Sequence, residues 1–445
     1  MNKKVPFSTY AIIGTMLFGM FFGAGNLIFP IKLGQMAGTE FWFALIGFLV
    51  TAIGLPFMGI LAIGLSGSNG LRDLGNRVHP MFGLIFSVAL YLTIGPLFAI
   101  PRTATVPFSV GIEPFIAPEH MKLWLVGFSL VFFLIVYYFS LNPAKVMDYI
   151  GKYLTPAFLV FLFILIIVSV VNPMGSFEKP VGDYINEAFM TGFKEGYNTL
   201  DALASLAFGI VVINAIKSRG ITNTKDIAMA TWKSGIFAMT LMMIIYAFIT
   251  YMGATSVEAV GTFDNGGLIF AAVAKHFFGS FGGILLAIII ILACLKTSIG
   301  LITACSEFFH ELLPKISYKK FVLILTFVSF VIANFGLSNI IKFTVPVLMF
   351  LYPLAIVLIL LALLSPLFKG RQSVYAISMF FTFFVSIIDG YKALVEQLPQ
   401  VKVGFLQSIE KFYSAILPLY DIGLGWVAPA AVGAIIGYIV SLIKK

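Results

Sequence analysis

Long apolar runs separated by short polar loops recur along the whole chain. A helix needs about 20 apolar residues to cross a bilayer. On that measure the pattern marks twelve spans: 9–30, 40–66, 80–105, 121–141, 150–172, 190–216, 227–253, 281–309, 320–336, 339–368, 373–393 and 418–443. The third, sixth, eighth and tenth are long enough to be tilted or interrupted.

The connections between spans carry a sign. "SGSNGLRDLGNR", "NPAKVMDYIGKY", "IKSRGITNTKD", "LPKISYKK" and "FKGRQS" all hold Lys or Arg, as do both termini through Lys3, Lys4, Lys444 and Lys445. The alternate connections hold most of the acids: Glu113, Glu119, Glu178, Asp183, Glu258 and Asp264. Basic loops face the cytoplasm, so an even number of spans leaves both termini inside. The expected fold class is an all-α polytopic membrane protein of twelve spans, N-in and C-in, forming one transmembrane domain over 1–445.

Composition agrees. The 445 residues are 60% hydrophobic and only 11% charged, and the mean hydropathy is +1.04. A soluble domain carries about a quarter charged residues. The net charge of +9 is spread over many short loops, which points to membrane orientation rather than to nucleic acid. The "MNKKVPFSTY" start leads into a run too long for a cleaved signal core, so a retained span is expected. Cys294 and Cys305 lie about three helical turns apart on one predicted helix, too far to bridge.

Two spans break the helix rules. "FGMFFGAGNLIFP", 18–30, places Gly19, Gly23, Ala24, Gly25 and Asn26 inside an apolar run, and each Gly in a helix interior costs about 1 kcal/mol relative to Ala. The sixth span holds Gly196, Asp201, Ser205 and Gly209. Glycines also permit close helix packing. Two interruptions five spans apart, however, match transporters built from inverted repeats, whose substrate sits where corresponding helices unwind.

With both breaks in view, the chain resembles the bacterial branched-chain amino acid:cation symporters of the amino acid–polyamine–organocation superfamily. The matching blocks are "GMFFGAGNLIFP" (19–30), "GPLFAIPRTATVPF" (95–108), "EGYNTLDALASLAFG" (195–209), "GLITACSEFFH" (300–310) and "VPVLMFLYP" (345–353). The resemblance implies a LeuT-like five-plus-five inverted repeat, 9–172 and 190–368, with two peripheral helices in 373–443. It also implies uptake of leucine, isoleucine and valine across the bacterial cytoplasmic membrane by symport with Na+ or H+, without another cofactor. The alternatives are a sodium-independent or proton-coupled carrier and a non-transporting nutrient sensor. An enzyme is not expected: His79, His120, His276 and His310 are scattered, and no Walker motif is present.

A free amino acid brings a carboxylate and an ammonium, both costly to dehydrate without partners. A half-helix starting near Asn26 offers free N–H groups to the carboxylate, and one ending near Gly23 offers carbonyls to the ammonium or to a cation. Gly23 and Gly25 admit backbone dihedrals that a Cβ forbids, with Ala24 between them. Asn26 caps the second half-helix or contacts the ligand. From the sixth span come the polar groups Thr199, Asp201 and Ser205, with Ala202, Ala204 and Phe208 for an aliphatic slot. Tyr91 of the third span closes over the pocket or simply packs. Arg102, at the outer end of that span, gates the vestibule or bonds at the interface.

By the resemblance, the cation site lies between the carbonyls of Gly19 and Phe22 and the hydroxyls of Thr297 and Ser298, which alternatively bond back to their own helix. Lys296 departs from the family pattern, in which a threonine is usual. Near mid-span a charge costs at least about 2.5 kcal/mol. Its ammonium either replaces the sodium ion or pairs with Asp201, the one acid expected within the membrane core.

Overall fold

The computed structural model describes residues 7–23, 25–68, 70–141, 155–217, 219–221 and 223–443. The expectations placed on Ala24, on the whole of "NPAKVMDYIGKY" and on the lysines of both termini lie outside these residues.

The described chain is helical throughout. The first predicted span is two helices, α1 (Phe7–Phe21) and α2 (Gly25–Ala37). The second divides into α3 (Phe41–Leu49) and α4 (Leu55–Ser66) around a wider turn at Val50–Gly54. After the short α5 (Leu71–Asn76), the third is α6 (Pro80–Leu92) and α7 (Ala99–Gly111), kinked at Gly95 beside Pro96. Then follow α8 (Met121–Ser140) and α9 (Thr155–Val171). The sixth span is α10 (Tyr184–Gly196) and α11 (Asp201–Lys217).

Beyond it come α12 (Thr224–Ala254), the single turn α13 (Val257–Val260) and α14 (Gly266–Leu312). The chain ends through α15 (Tyr318–Ala333), α16 (Leu337–Leu363), α17 (Gln372–Gln397), α18 (Gly404–Ile416) and α19 (Val427–Ile443).

Seven described stretches are long and apolar enough to cross a membrane: Gly25–Ser66, Pro80–Phe115, Pro118–Ser140, Asp226–Ala254, Phe281–Leu312, Leu337–Leu363 and Gln372–Gln397. The first of these runs α2, the second half of span one, into span two. Shorter apolar helices include Phe7–Phe21, Leu159–Val171 and Val427–Ile443.

Besides the short α5 and α13, two longer helices fall where the hydropathy pattern reads as loop. Gly266–Gly279 opens α14 and turns into the next segment at Gly279, whose φ of 62° suits glycine. Asn265 caps it, its Oδ1 accepting from Gly267 N at 3.0 Å and Leu268 N at 3.2 Å. α18 has no buried residue, and Phe405, Phe412 and Ile416 stand exposed beside Lys411 and Glu410. That is the pattern of a helix lying in the membrane interface.

The broken helices sit at the centre. α1 and α2 pack on α12, α10 packs on α3, α11 on α4, and α17 joins α16 to α19. α2 approaches α12 closely because glycines face it: a Cβ on Gly34 would stand 2.0 Å from Thr250 O, and one on Gly253 2.1 Å from Ile31 O. Small residues bring backbones together in this way in membranes. Any larger side chain at either position would push the two helices apart.

Candidate functional site

The first break opens after Phe21, and its geometry is set by one amide. Asn26 Oδ1 accepts from Gly23 N at 2.7 Å, so a backbone donor freed by the break is satisfied from within the same turn. The other end of the amide crosses to the second break, with Asn26 Nδ2 donating to Asp201 Oδ2 at 2.6 Å. Nδ2 also donates to the Tyr246 hydroxyl, which in turn lies 3.3 Å from Asp201 Oδ2. An N–H on one side and a carboxylate on the other fix which way the amide points.

The second break follows its own logic. α10 ends at Gly196, Tyr197–Thr199 forms a tighter turn, and Leu200 takes the left-handed region with φ 67°. That conformation costs a non-glycine residue about 1–2 kcal/mol. Thr199 Oγ1 donates to Gly196 O at 3.0 Å and accepts from Asp201 N at 3.4 Å, closing α10 and starting α11. Neither Gly23 nor Gly25 takes a positive φ, which corrects the expectation that they supply dihedrals a Cβ forbids. They ease packing instead: a Cβ on Gly25 would stand 3.3 Å from Phe29 Cε2, and one on Gly23 3.3 Å from Thr297 Cγ2, both tighter than an ordinary contact.

Between the breaks lies a cavity of about 50 Å³, room for a few waters. Gly23, Gly25, Asn26, Thr199, Asp201 and Thr297 form one side of its lining, and Phe21, Ala204, Phe208 and Leu301 supply apolar surface. The hydrogen bonds to Asp201 from Asn26 and Tyr246 both fall on Oδ2.

Arg102 belongs to this cavity and not to an outer vestibule. The third span does not end near it, because α7 runs on to Gly111 and buries it in its first turn. Its Nη1 donates to Asn198 O and its Nη2 to Thr344 Oγ1, each at 2.7 Å, and its guanidinium stands 5.3 Å from the Phe29 ring centre. Asn198 Nδ2 donates in turn to Glu195 Oε2 at 3.0 Å. Glu195 is therefore a second acid within the predicted sixth span, where the sequence reading held Asp201 alone.

Asp201 is bonded to Asn26 and Tyr246, while the Lys296 ammonium lies against α1, 2.9 Å from where a Cβ on Gly19 would be. One residue further along α14, Thr297 faces the first break and also bonds back to Ala293 O at 3.3 Å. Ser298 Oγ is buried without a hydrogen-bond partner among the described residues. Phe22 stacks on Phe18 at 4.9 Å and faces the Tyr246 ring at 6.5 Å.

Three residues expected to bind the substrate stand apart from the cavity lining. Tyr91 stacks on Phe308 with ring centres 4.0 Å apart, and its carbonyl accepts from the Cys305 thiol at 3.5 Å. It lines a separate space of about 380 Å³ shared with Arg72, Glu307 and Glu311. Ser205 Oγ donates to Ala202 O at 2.6 Å and abuts Gly59 of α4. Ala202 is buried and does not line the cavity. Conversely, Tyr246 and Thr344 were not foreseen. Tyr246 sits in "MMIIYAFIT", where no polar neighbour distinguishes it from a packing tyrosine.

The family described as branched-chain amino acid transport protein matches residues 8–444. The branched-chain amino acid permease BrnQ of Bacillus subtilis (strain 168) is 46% identical over 444 residues, covering 100% of this chain and 99% of its own. The permease of the same name from Lactobacillus delbrueckii subsp. lactis is 47% identical over 97% of this chain and 96% of its own.

Among solved structures, Mhp1, a nucleobase-cation-symport-1 family transporter with bromovinylhydantoin bound, is 13% identical with a TM-score of 0.59. The match covers 88% of this chain and 91% of that one. MhsT in complex with L-phenylalanine is 15% identical with a TM-score of 0.58, over 88% of this chain and 98% of that one. At these identities the likeness is one of fold: an all-helical membrane transporter with LeuT-like neighbours.

Proposed function

The chain belongs to the branched-chain amino acid transport protein family, and on that premise we propose that it imports leucine, isoleucine and valine by cation symport. The observation that carries the reading is the cavity where two helix breaks meet, lined by Gly25 and Asn26 from one and Thr199 and Asp201 from the other. Free N–H groups and the positive end of α2 suit a carboxylate. Carbonyls at the end of α1, with Asp201 Oδ1, suit an ammonium. Phe21, Phe208 and Leu301 suit a branched aliphatic side chain, whose burial is worth about 25 cal/mol per Å².

A cavity of about 50 Å³ must widen to take the whole molecule. The larger space beside Arg72, Glu307 and Glu311 is lined in part by the Arg-bearing connection at 70–76, which supports release on the cytoplasmic side. Twelve spans with both termini inside, and alternating access by the two repeats, complete this reading.

A second reading is favoured by the position of Lys296 against Gly19. There the tethered ammonium takes the place of a sodium ion between the end of α1 and α14, and transport is sodium-independent, driven by protons. Leucine uptake into proteoliposomes, with sodium varied at fixed pH and membrane potential, separates the two. Stimulation by sodium supports sodium symport and refutes the lysine substitute; indifference to sodium with a response to a pH gradient does the reverse. Binding without accumulation would identify a sensor and overturn both.

A further inference from the structure

A second cavity, of about 110 Å³, lies among α10, α16, α17 and the turn before α19, and shares no lining residue with the central one. Three aromatic side chains line it: Tyr197, Tyr420 and Trp426, each at least 95% buried. The two hydroxyls and the indole N–H are buried without a hydrogen-bond partner among the described residues. Other buried side-chain polar atoms of the described residues also lack partners, but three of them meet at this one cavity, and together they call for a common partner. Charged groups complete the lining, with Asp389, Glu396 and Asp421 on one hand and Lys194 and Lys392 on the other. Met349, Pro353 and Ala393 give it an apolar wall.

We propose that this cavity is a regulatory site for a free α-amino acid, separate from the transport cavity. An indole N–H only donates, so its partner must carry an acceptor, and a carboxylate also accepts from the tyrosine hydroxyls and the lysines. Three carboxylates against two ammonium groups leave an excess negative charge for the ligand's own ammonium. A bare cation would leave the three donors unpaired. The volume approaches that of a cavity known to take a benzene-sized ligand, which favours a small side chain.

The site is wired to the transport cavity through Tyr197. This residue opens the turn at the second break, and its neighbour Asn198 receives Arg102. Its ring stacks on Tyr352 with centres 4.0 Å apart, and its carbonyl accepts from the Tyr352 hydroxyl at 2.9 Å. A ligand that holds Tyr197 therefore biases the turn that shapes the central cavity.

The test uses Trp426 as reporter. Trp42, Trp124 and Trp232 are exposed on the outer surface of the helices and are replaced by Phe, leaving Trp426 as the single tryptophan in the full chain. The protein is titrated in nanodiscs with leucine first, then with each of the other standard amino acids. The choice of leucine rests on the proposed function; the site itself does not.

A saturable change in Trp426 emission is expected, persisting when the central cavity is altered by Gly25→Leu or Asn26→Ala. The pair Asp389→Asn with Lys392→Met is expected to raise the half-saturating concentration at least tenfold and, through the link at Tyr197, to shift central leucine binding by more than twofold without abolishing it; central binding that does not move would remove the regulatory role. No saturable change with any amino acid, or a signal lost in both central-cavity variants, would overturn the proposal. Loss of leucine accumulation with the Trp426 response retained would count against transport and leave this site standing.

Discussion

Asn26 and Asp201, 175 residues apart in sequence, are joined by a hydrogen bond of 2.6 Å that ties one broken helix to the other. The same amide holds Gly23 N and the Tyr246 hydroxyl. Asn26→Ala removes all three contacts and leaves buried groups unpaired, each at about 1–3 kcal/mol. Leucine affinity is expected to fall at least about tenfold, measured by radioligand binding to purified protein. Asn26→Asp sets a second carboxylate against Asp201 and is expected to be at least as damaging at neutral pH.

Arg102 offers a different kind of test, since it binds the second break without belonging to either broken helix. Its two η nitrogens hold Asn198 O and Thr344 Oγ1 at once, a fork that a lysine cannot reproduce. Arg102→Lys keeps the charge and loses one bond. Uptake in proteoliposomes is expected to drop about tenfold, and Thr344→Val, which removes the same bond from the other side, is expected to add little on top of it.

Sequence pattern reaches some of this arrangement and stops short of the rest. Gly23, Gly25 and Asn26 are legible because polar and flexible residues inside an apolar run demand a local reason. Asp201 is legible for the same reason. Arg102 is legible as a charged residue near an apolar run but its burial is not, because the apolar pattern ends near 105 where α7 continues to Gly111. The Gly266–Gly279 helix was missed because it is apolar and too short to span. The partner of Asp201 depended on which helices pack together, and Tyr246 reaches it from α12, a contact no local pattern records.

Tyr91 provides a negative control within the third span. Its stack on Phe308 sits in the other cavity. Tyr91→Phe keeps that stack, so leucine affinity is expected to stay within about twofold of wild type. Phe208→Ala, which removes lining from the central cavity, is expected to weaken leucine by about 1–3 kcal/mol while sparing alanine-sized analogues.

The proposed role of Lys296 in ion coupling can be tested directly. If its ammonium replaces sodium beside Gly19, Lys296→Thr is expected to abolish proton-driven uptake of leucine. The same variant then gains sodium stimulation, because the vacated space faces the end of α1 and the Thr297 hydroxyl. Uptake that is unchanged in Lys296→Thr, under every gradient, would remove the lysine from the coupling step.

The most direct measurement is accumulation of radiolabelled leucine in proteoliposomes that contain only this chain, with an imposed cation gradient as the sole energy source. Internal leucine is expected to rise above the external concentration, to collapse when the gradient is dissipated, and to fail in Asn26→Ala. Leucine that never exceeds the external concentration, under a sodium or a proton gradient, would contradict the claim that the paired helix breaks form the site of a symporter.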